Sequence, residues 1–336
     1  MSQPPVEIPL PADADKVFVL TDSNVAPLCA DILPHACRIV TPAGEENKNL
    51  DAVAAIWAAL SNSGATRRSV TVNIGGGMIS DMGGFAAATF KRGIRYINVP
   101  TTILAAVDAS IGGKTGIDMF GLKNEIGAFA MPHAVCPAYH LFRFLPENEW
   151  ISGYGEILKT ALLAGPDQWA EALDTDCLRS DPAALRDIIE ACADYKRLIV
   201  EQDPGEKGLR KVLNLGHTAG HAFESLCLAK GMPAAHGKAV AHGLLVTLII
   251  SRMRGMEVSK CIYSMCSLVR EVIGRLPIGC ADHDRIVEIM GHDKKNLIAG
   301  QPSFVLLRSP GNPVADCTVT PDELNAALDI YCDMNS

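Results

Sequence analysis

The segment Asn214-Leu215-Gly216-His217-Thr218-Ala219-Gly220-His221 sets two imidazoles four residues apart, and so on one face of any helix. A third histidine, His236, follows in what reads as a glycine-containing turn, Ala235-His236-Gly237. Histidines converging from a helix and a nearby loop, with a carboxylate from elsewhere, make a ligand set for a catalytic divalent metal. Thr218 stands where a zinc peptidase helix carries its glutamate, which excludes HExxH hydrolysis. A hydrogen-bonded pair of core histidines has the same spacing, so the pair alone does not decide.

Lysines with unusual neighbours point further. Asp108, Lys114, Lys123 and Asn124 lie in VDASIGGKTGIDMFGLKNEIG, among glycines and apolar residues rather than on a charged face. Lys159 follows Glu156 by three residues, on the same helix face, which pairs a hard oxygen ligand with an ammonium. Lys196, Arg210 and the Asp293-Lys294-Lys295 turn supply more cations, suited to phosphate or carboxylate. Gly75-Gly76-Gly77 follows an apolar run and opens a helix, so backbone amides and the helix dipole can face an anion. Asp22, Asn24, the turn Pro42-Ala43-Gly44-Glu45 with Lys48, and Thr101-Thr102 also stand at expected strand ends.

The elements that must position these groups fall into two textures. Strands are expected at residues 16–20, 69–74 and 96–99, with helices over 50–60 and about 81–89, which implies a parallel Rossmann-like sheet. From Leu145-Pro146 onward helical patterns dominate: 155–163, 182–201, 217–230, 239–254, 260–273 and 321–330. The expectation is an α/β domain over 1–145 and a mainly helical domain over 146–336, with a cleft at their junction.

The chain has 336 residues, 48% hydrophobic and 20% charged, ample for a sizeable core. Its net charge of -8 disfavours nucleic acid and anionic membranes as partners. No apolar run reaches a membrane span and the start carries no export signal, so a cytoplasmic location is expected. The eleven cysteines form no CxxC and read as reduced thiols. None sits at ligand spacing from the three histidines above, Cys227 being the closest, and no cysteine is expected to ligate a metal.

The blocks GGGMISDMGGFAAATFKRG, VPTTILAAVDASIGGKTGID, LKNEIGAF, GYGEILK, GLRKVLNLGHTAGHAFES, HGKAVAHG and HDKKN resemble, in order, the 3-dehydroquinate synthase family. The resemblance runs from Asp22 to about Asn296. It implies NAD held by Asp22, Asn24, Glu45, Lys48, Gly76, Gly77, Asp81, Thr101, Thr102 and Lys123. It implies a divalent metal, Zn2+ or Co2+, on Glu156, His217 and His236. The phosphorylated keto-acid DAHP would meet Asp108, Lys114, Asn124, Lys159, Lys196, Arg210, Asn214, His221 and Lys294 or Lys295, with Glu206 as proton acceptor. Arg92 would reach the phosphate across a homodimer interface. The implied reaction oxidises a secondary alcohol with NAD, eliminates phosphate, returns the hydride and closes a carbocycle by aldol addition.

Two positions depart from the family pattern: Ser80 replaces a glycine and Phe144 replaces a threonine. The stretch from Asn24 to Glu45 is compact, which predicts a trimmed sheet edge. Rival readings are a sugar phosphate cyclase acting on sedoheptulose 7-phosphate or glucose 6-phosphate, a metal-dependent polyol dehydrogenase, and an inactive NAD-binding protein. The full set of cations speaks for an acidic, phosphorylated substrate.

Overall fold

Five strands hydrogen-bond in parallel in the order β2-β1-β3-β4-β7. They are β1 (Val17–Asp22), β2 (Cys37–Thr41), β3 (Val70–Gly75), β4 (Arg95–Pro100) and β7 (Ala134–Val135). The computed structural model describes residues 6–120, 122–291 and 301–335. It divides the chain into two units, Met1–Pro146 and Glu147–Ser336.

Side chains in the sheet alternate as the strand period requires. Phe18 and Leu20 face helices α1 (Leu50–Asn62) and α2 (Gly77–Thr89) in one apolar cluster. Val19, Val70, Val72, Ile97 and Val99 fill the other. The chain leaves β1 for β2 on one side, then crosses to β3 on the other, so the strand order reverses between β1 and β3. In open parallel sheets that crevice, outside the carboxyl ends, is where ligands bind. Residues 23–36 join β1 to β2 by turns alone, where a parallel pair ordinarily takes a helix, so the sheet edge is trimmed as expected. A hairpin of β5 (Lys114–Met119) and β6 (Leu122–Phe129), which the sequence pattern did not reveal, follows β4.

Among the described residues, the second unit is helical apart from one hairpin and its connecting turns. Its helices are α3 (Glu147–Ala164), α4 (Pro166–Ala172), α5 (Thr175–Ser180), α6 (Pro182–Gln202), α7 (His217–Ala229), α8 (His236–Met253), α9 (Ser259–Leu268), α10 (His283–Gly291) and α11 (Pro321–Asn335). The hairpin pairs β8 (Ser303–Leu307) with β9 (Pro313–Thr318). Two helices begin earlier than their sequence pattern suggests. Helix α3 starts at Glu147 rather than 155, because Gly153 and Gly155 dilute its periodicity. Helix α8 starts at His236 rather than 239, so His236 is its first residue and not part of a turn.

Those glycines serve close packing. A Cβ on Gly155 would overlap the Gly237 carbonyl oxygen, and one on Gly237 would overlap the carbonyl of Ser152. Helices α3 and α8 therefore touch backbone to backbone beside Glu156 and His236. No helix among the described residues is long and apolar enough to cross a membrane.

Candidate active site

In the second unit, three helices bring one carboxylate and three imidazoles together. Glu156 on α3 is fully buried, with 0% of its surface exposed. Its Oε1 lies 3.6 Å from His217 Nε2 and 3.5 Å from His236 Nε2. Two ligands about 2 Å from one ion in tetrahedral array stand about 3.4 Å apart, so these separations fit a shared divalent metal. The nearest ring nitrogens of His217, His221 and His236 lie within 4.8 Å of one another. His221 faces His217 edge-on, with centroids 5.2 Å apart.

Each ligand atom is oriented from behind. His217 Nδ1 lies 3.2 Å from the Leu215 carbonyl, which can only accept, so Nδ1 carries the proton and Nε2 presents a lone pair. Burial pushes the His217 pKa well below its ordinary value, leaving the ring neutral. His236 Nδ1 lies 3.2 Å from Glu224 Oε2. Burial pushes His236 down too, but the flanking carboxylates of Glu156 and Glu224 outweigh it and hold the pKa at about 10. A metal and a proton therefore compete for His236 Nε2. Lys159 Nζ is 2.5 Å from Glu156 Oε2, so one carboxylate oxygen meets the ammonium while the other faces the imidazoles.

Glu224 is a functional candidate that sequence reasoning missed. It lies seven residues after His217 and three after His221 on α7, one helical face, and that spacing was the available signal. Carboxylates behind metal-bound histidines fix ring orientation and raise basicity. Glu224→Gln is expected to weaken zinc binding about 10- to 100-fold with the fold intact. Competition with a chromophoric chelator measures this, and unchanged affinity would remove Glu224 from the site.

Besides Lys159 beside Glu156, two more buried cations stand on segments that pack against α3. Lys159, Lys196 and Arg210 are 1%, 7% and 2% exposed, so all three ammonium or guanidinium stems are withdrawn from water. Cys192, one turn before Lys196 on α6, feels the charges of Lys159 and Glu156, which sets that face of α6 against α3. Asp203 accepts from the backbone N–H groups of Lys207, Gly208 and Arg210, and these bonds hold its carboxyl below the usual carboxylate range. The loop so fixed carries Glu206 in left-handed backbone at φ 55°, and Asn214 Nδ2 donates to Glu206 Oε1 at 3.1 Å. Asp203 thus positions both Glu206 and Arg210, a role no motif announced. Lys294 and Lys295 lie outside the described residues.

In the first unit, the strand register lines up Asp22 with Thr41 and Gly75 with Pro100 at the carboxyl edge. Asp22 Oδ1 accepts from the amides of Asn24 and Val25 at 2.9 and 3.1 Å, shaping the turn after β1. Gly76 caps α2, and a Cβ there would stand 3.2 Å from Thr102 Cγ2. The bare backbone at Gly76 and Gly77 and the start of α2 suit a pyrophosphate. Thr101 Oγ1 is buried with no hydrogen-bond partner among the described residues. A buried hydroxyl in that state calls for a ligand atom or water. The donor set therefore fits a dinucleotide.

Lys48 is the hub of this region. Its buried ammonium donates to Asp81 Oδ2 and Asn124 Oδ1, each at 2.6 Å, and lies 3.4 Å from Glu45 Oε1. Burial lowers its pKa, but Asp81 and Glu45 outweigh burial and hold it up, so Lys48 stays charged. Asn124, expected at the substrate, is bound in this structure to Lys48. Asp118 Oδ1 accepts from the Asn124 amide at 2.7 Å, and Asp118 N donates to the Lys48 carbonyl at 2.8 Å. The β5–β6 hairpin is tied to the Lys48 segment in this way, and Asp118 joins Glu224 and Asp203 as a third residue that sequence reasoning missed.

Asp108 is half-buried in the short helical turn Ala105–Ala109, close enough to Asp81 to feel its charge. Lys114 and Lys123 are exposed on the hairpin. Arg92 is exposed on a turn where Lys91, Arg92 and Gly93 all have positive φ. The two departures from the family pattern are both accommodated: Ser80 is buried with its Oγ 2.9 Å from Ser110 Oγ, and Phe144 is half-exposed beneath Arg143.

The family model for 3-dehydroquinate synthase N-terminal matches residues 38–152, and that for 3-dehydroquinate synthase C-terminal matches residues 153–296. A 3-dehydroquinate synthase of Parabacteroides distasonis is 43% identical over 324 residues, covering 94% of this chain and 91% of the relative. Among solved structures, 2-deoxy-scyllo-inosose synthase complexed with carbaglucose-6-phosphate, NAD+ and Co2+ superposes with a TM-score of 0.82 at 25% identity, over 96% of this chain and 91% of that one. The 2-epi-5-epi-valiolone synthase of Streptomyces hygroscopicus, with NAD+ and Zn2+ bound, shares the fold at a TM-score of 0.83 and 23% identity, over 96% and 93% of the two chains. With both halves matched by its models, the chain belongs to the 3-dehydroquinate synthase family.

Proposed function

We propose that the protein converts DAHP to 3-dehydroquinate and phosphate, as a phosphate-eliminating lyase of aromatic amino acid biosynthesis. The observation that carries this reading is Glu156 Oε1 set 3.5–3.6 Å from two imidazole nitrogens, with Lys159 on its other oxygen. Residues 1–145 would hold NAD, and residues 146–336 the metal and most of the substrate. When bound, NAD takes up and returns the hydride while the divalent metal acidifies substrate hydroxyls.

The chain's own residues supply orientation and proton handling. Glu156, His217 and His236 would hold the metal, and Lys159 fixes the other carboxylate oxygen of the glutamate in place. Lys196 and Arg210, fixed and desolvated, would pin the anionic ends of the substrate, and in a water-poor site such cations act strongly. Glu206, oriented by Asn214, would accept a proton, and His221 would serve the phosphate end. Asp22, Lys48, Asp81, Gly76, Gly77, Thr101 and Thr102 would contact NAD. The protein would work in the cytoplasm as a homodimer, its Arg92 turn serving the neighbouring subunit's phosphate.

Phosphate release from DAHP tests the reading. Activity with catalytic NAD is expected, lost on chelation, restored by Zn2+ or Co2+, and accompanied by no net NADH. Cyclic product from sedoheptulose 7-phosphate but not from DAHP would overturn the substrate, and stoichiometric NADH would indicate a dehydrogenase.

A further inference from the structure

A second cluster of metal-binding side chains lies on other elements of the second unit. Cys280 sits in the short turn Cys280–Asp282, His283 is the first residue of α10, and Cys332 is near the end of α11. The two sulfurs and one imidazole nitrogen all lie within 4.8 Å of one another. His283 Nε2 is 3.2 Å from Cys332 Sγ. Its other nitrogen, Nδ1, is 3.3 Å from Asp329 Oδ1.

We propose that Cys280, His283 and Cys332 form a second metal site, for a soft divalent ion of the zinc type. Two sulfurs and an imidazole select such an ion over Mg2+ or Ca2+, which take oxygen ligands. A carboxylate behind the far nitrogen of a ligating histidine is the usual supporting contact, because it fixes the tautomer and aims Nε2 at the ion. Three protein ligands leave the fourth tetrahedral position to water, reachable because Cys280 is exposed. Binding releases the two thiol protons to solvent, forming two metal–sulfur bonds and one metal–nitrogen bond.

Both limbs of the site are held in place without an ion. Tyr331, next to Cys332, stacks on Phe223 of α7 and has its hydroxyl 2.7 Å from His242 Nδ1 of α8. Asp282, next to His283, accepts from Lys230 Nζ at 2.7 Å and from the Gly279 amide at 2.9 Å. The expectation from the sequence that no cysteine ligates a metal is therefore revised. It weighed cysteines only against the histidines at 217, 221 and 236, whereas Cys280 lies three residues before His283.

Cobalt titration of the reduced, full-length protein tests the site independently of activity. Thiolate-to-cobalt charge-transfer absorption requires sulfur ligands, which Glu156, His217 and His236 cannot supply. The band is expected to saturate within two equivalents per chain, since Glu156, His217 and His236 also take up cobalt, at one equivalent in His217→Ala, and to collapse on zinc addition. It should vanish in the Cys280→Ser/Cys332→Ser double variant and persist in His217→Ala. Absence of the band in the reduced protein, or its persistence in the double variant, would overturn the proposal. So would a Cys280–Cys332 cross-link found by peptide mass analysis alongside a reduced protein that gives no band.

Discussion

His217→Ala is expected to lose the metal and to cut turnover by about 10^3-fold or more, while His221→Ala keeps the metal and loses turnover alone. The distinction rests on where Glu156 points. Its Oε1 is 3.6 Å from His217 Nε2 and 3.5 Å from His236 Nε2, and those three atoms have the mutual spacing of ligands around one ion. Losing the metal removes several kcal/mol of charge stabilisation, on the order of 10^3-fold in rate. His221 adds a third imidazole beside them, at a centroid distance of 5.2 Å from His217. A proton-transferring group in that place contributes roughly 10^2- to 10^4-fold without owning the ion. Metal content by elemental analysis, measured in the Cys280→Ser/Cys332→Ser background so that only one site is counted, and single-turnover phosphate release read the two effects separately. Equal metal loss in both variants would restore the simpler view in which the His217–His221 spacing defines the ligands.

That distinction shows what the sequence could and could not convey. Helical spacing paired His217 with His221 and Glu156 with Lys159, because contacts three and four residues apart follow from helix geometry, while the union of the two pairs in one site came from the family resemblance. The parallel sheet was legible for the same kind of reason: strands such as 70–75 carry β-branched apolar residues at alternate positions between turn residues. Contacts that depend on packing were not legible. Glu224 behind His236 and Asp118 holding Asn124 to Lys48 depend on elements that only tertiary structure brings together, and Asp203 acts within one irregular loop whose conformation no periodicity announces. The β5–β6 hairpin escaped notice because its glycines and lysines mask strand alternation. Position 236 was misread because Gly237 reads as a turn residue, whereas its function is the close approach of two helices.

That close approach sets the second large effect: Gly155→Ala is expected to destabilise the protein and to disable the metal site together. Alanine in place of glycine inside a helix ordinarily stabilises by about 1 kcal/mol, since it reduces backbone freedom. At Gly155 the sign should reverse. The added Cβ would overlap the Gly237 carbonyl oxygen, and a backbone atom cannot rotate away as a flexible side chain can. Overpacking of this kind costs about 1–3 kcal/mol, enough to exceed the propensity gain. The relief available is to spread α3 from α8, and those helices carry Glu156 and His236 one residue away from the contact. Spreading them opens the 3.5 Å separation of Oε1 and Nε2, so metal affinity should fall at least tenfold, as about 1.4 kcal/mol of strain in the bound state implies. Gly237→Ala should act alike through the Ser152 carbonyl. Urea unfolding of the metal-free protein, with zinc titration of the same sample, resolves the two parts. A Gly155→Ala protein that is more stable than the parent and binds zinc as tightly would show that the helices do not depend on this contact.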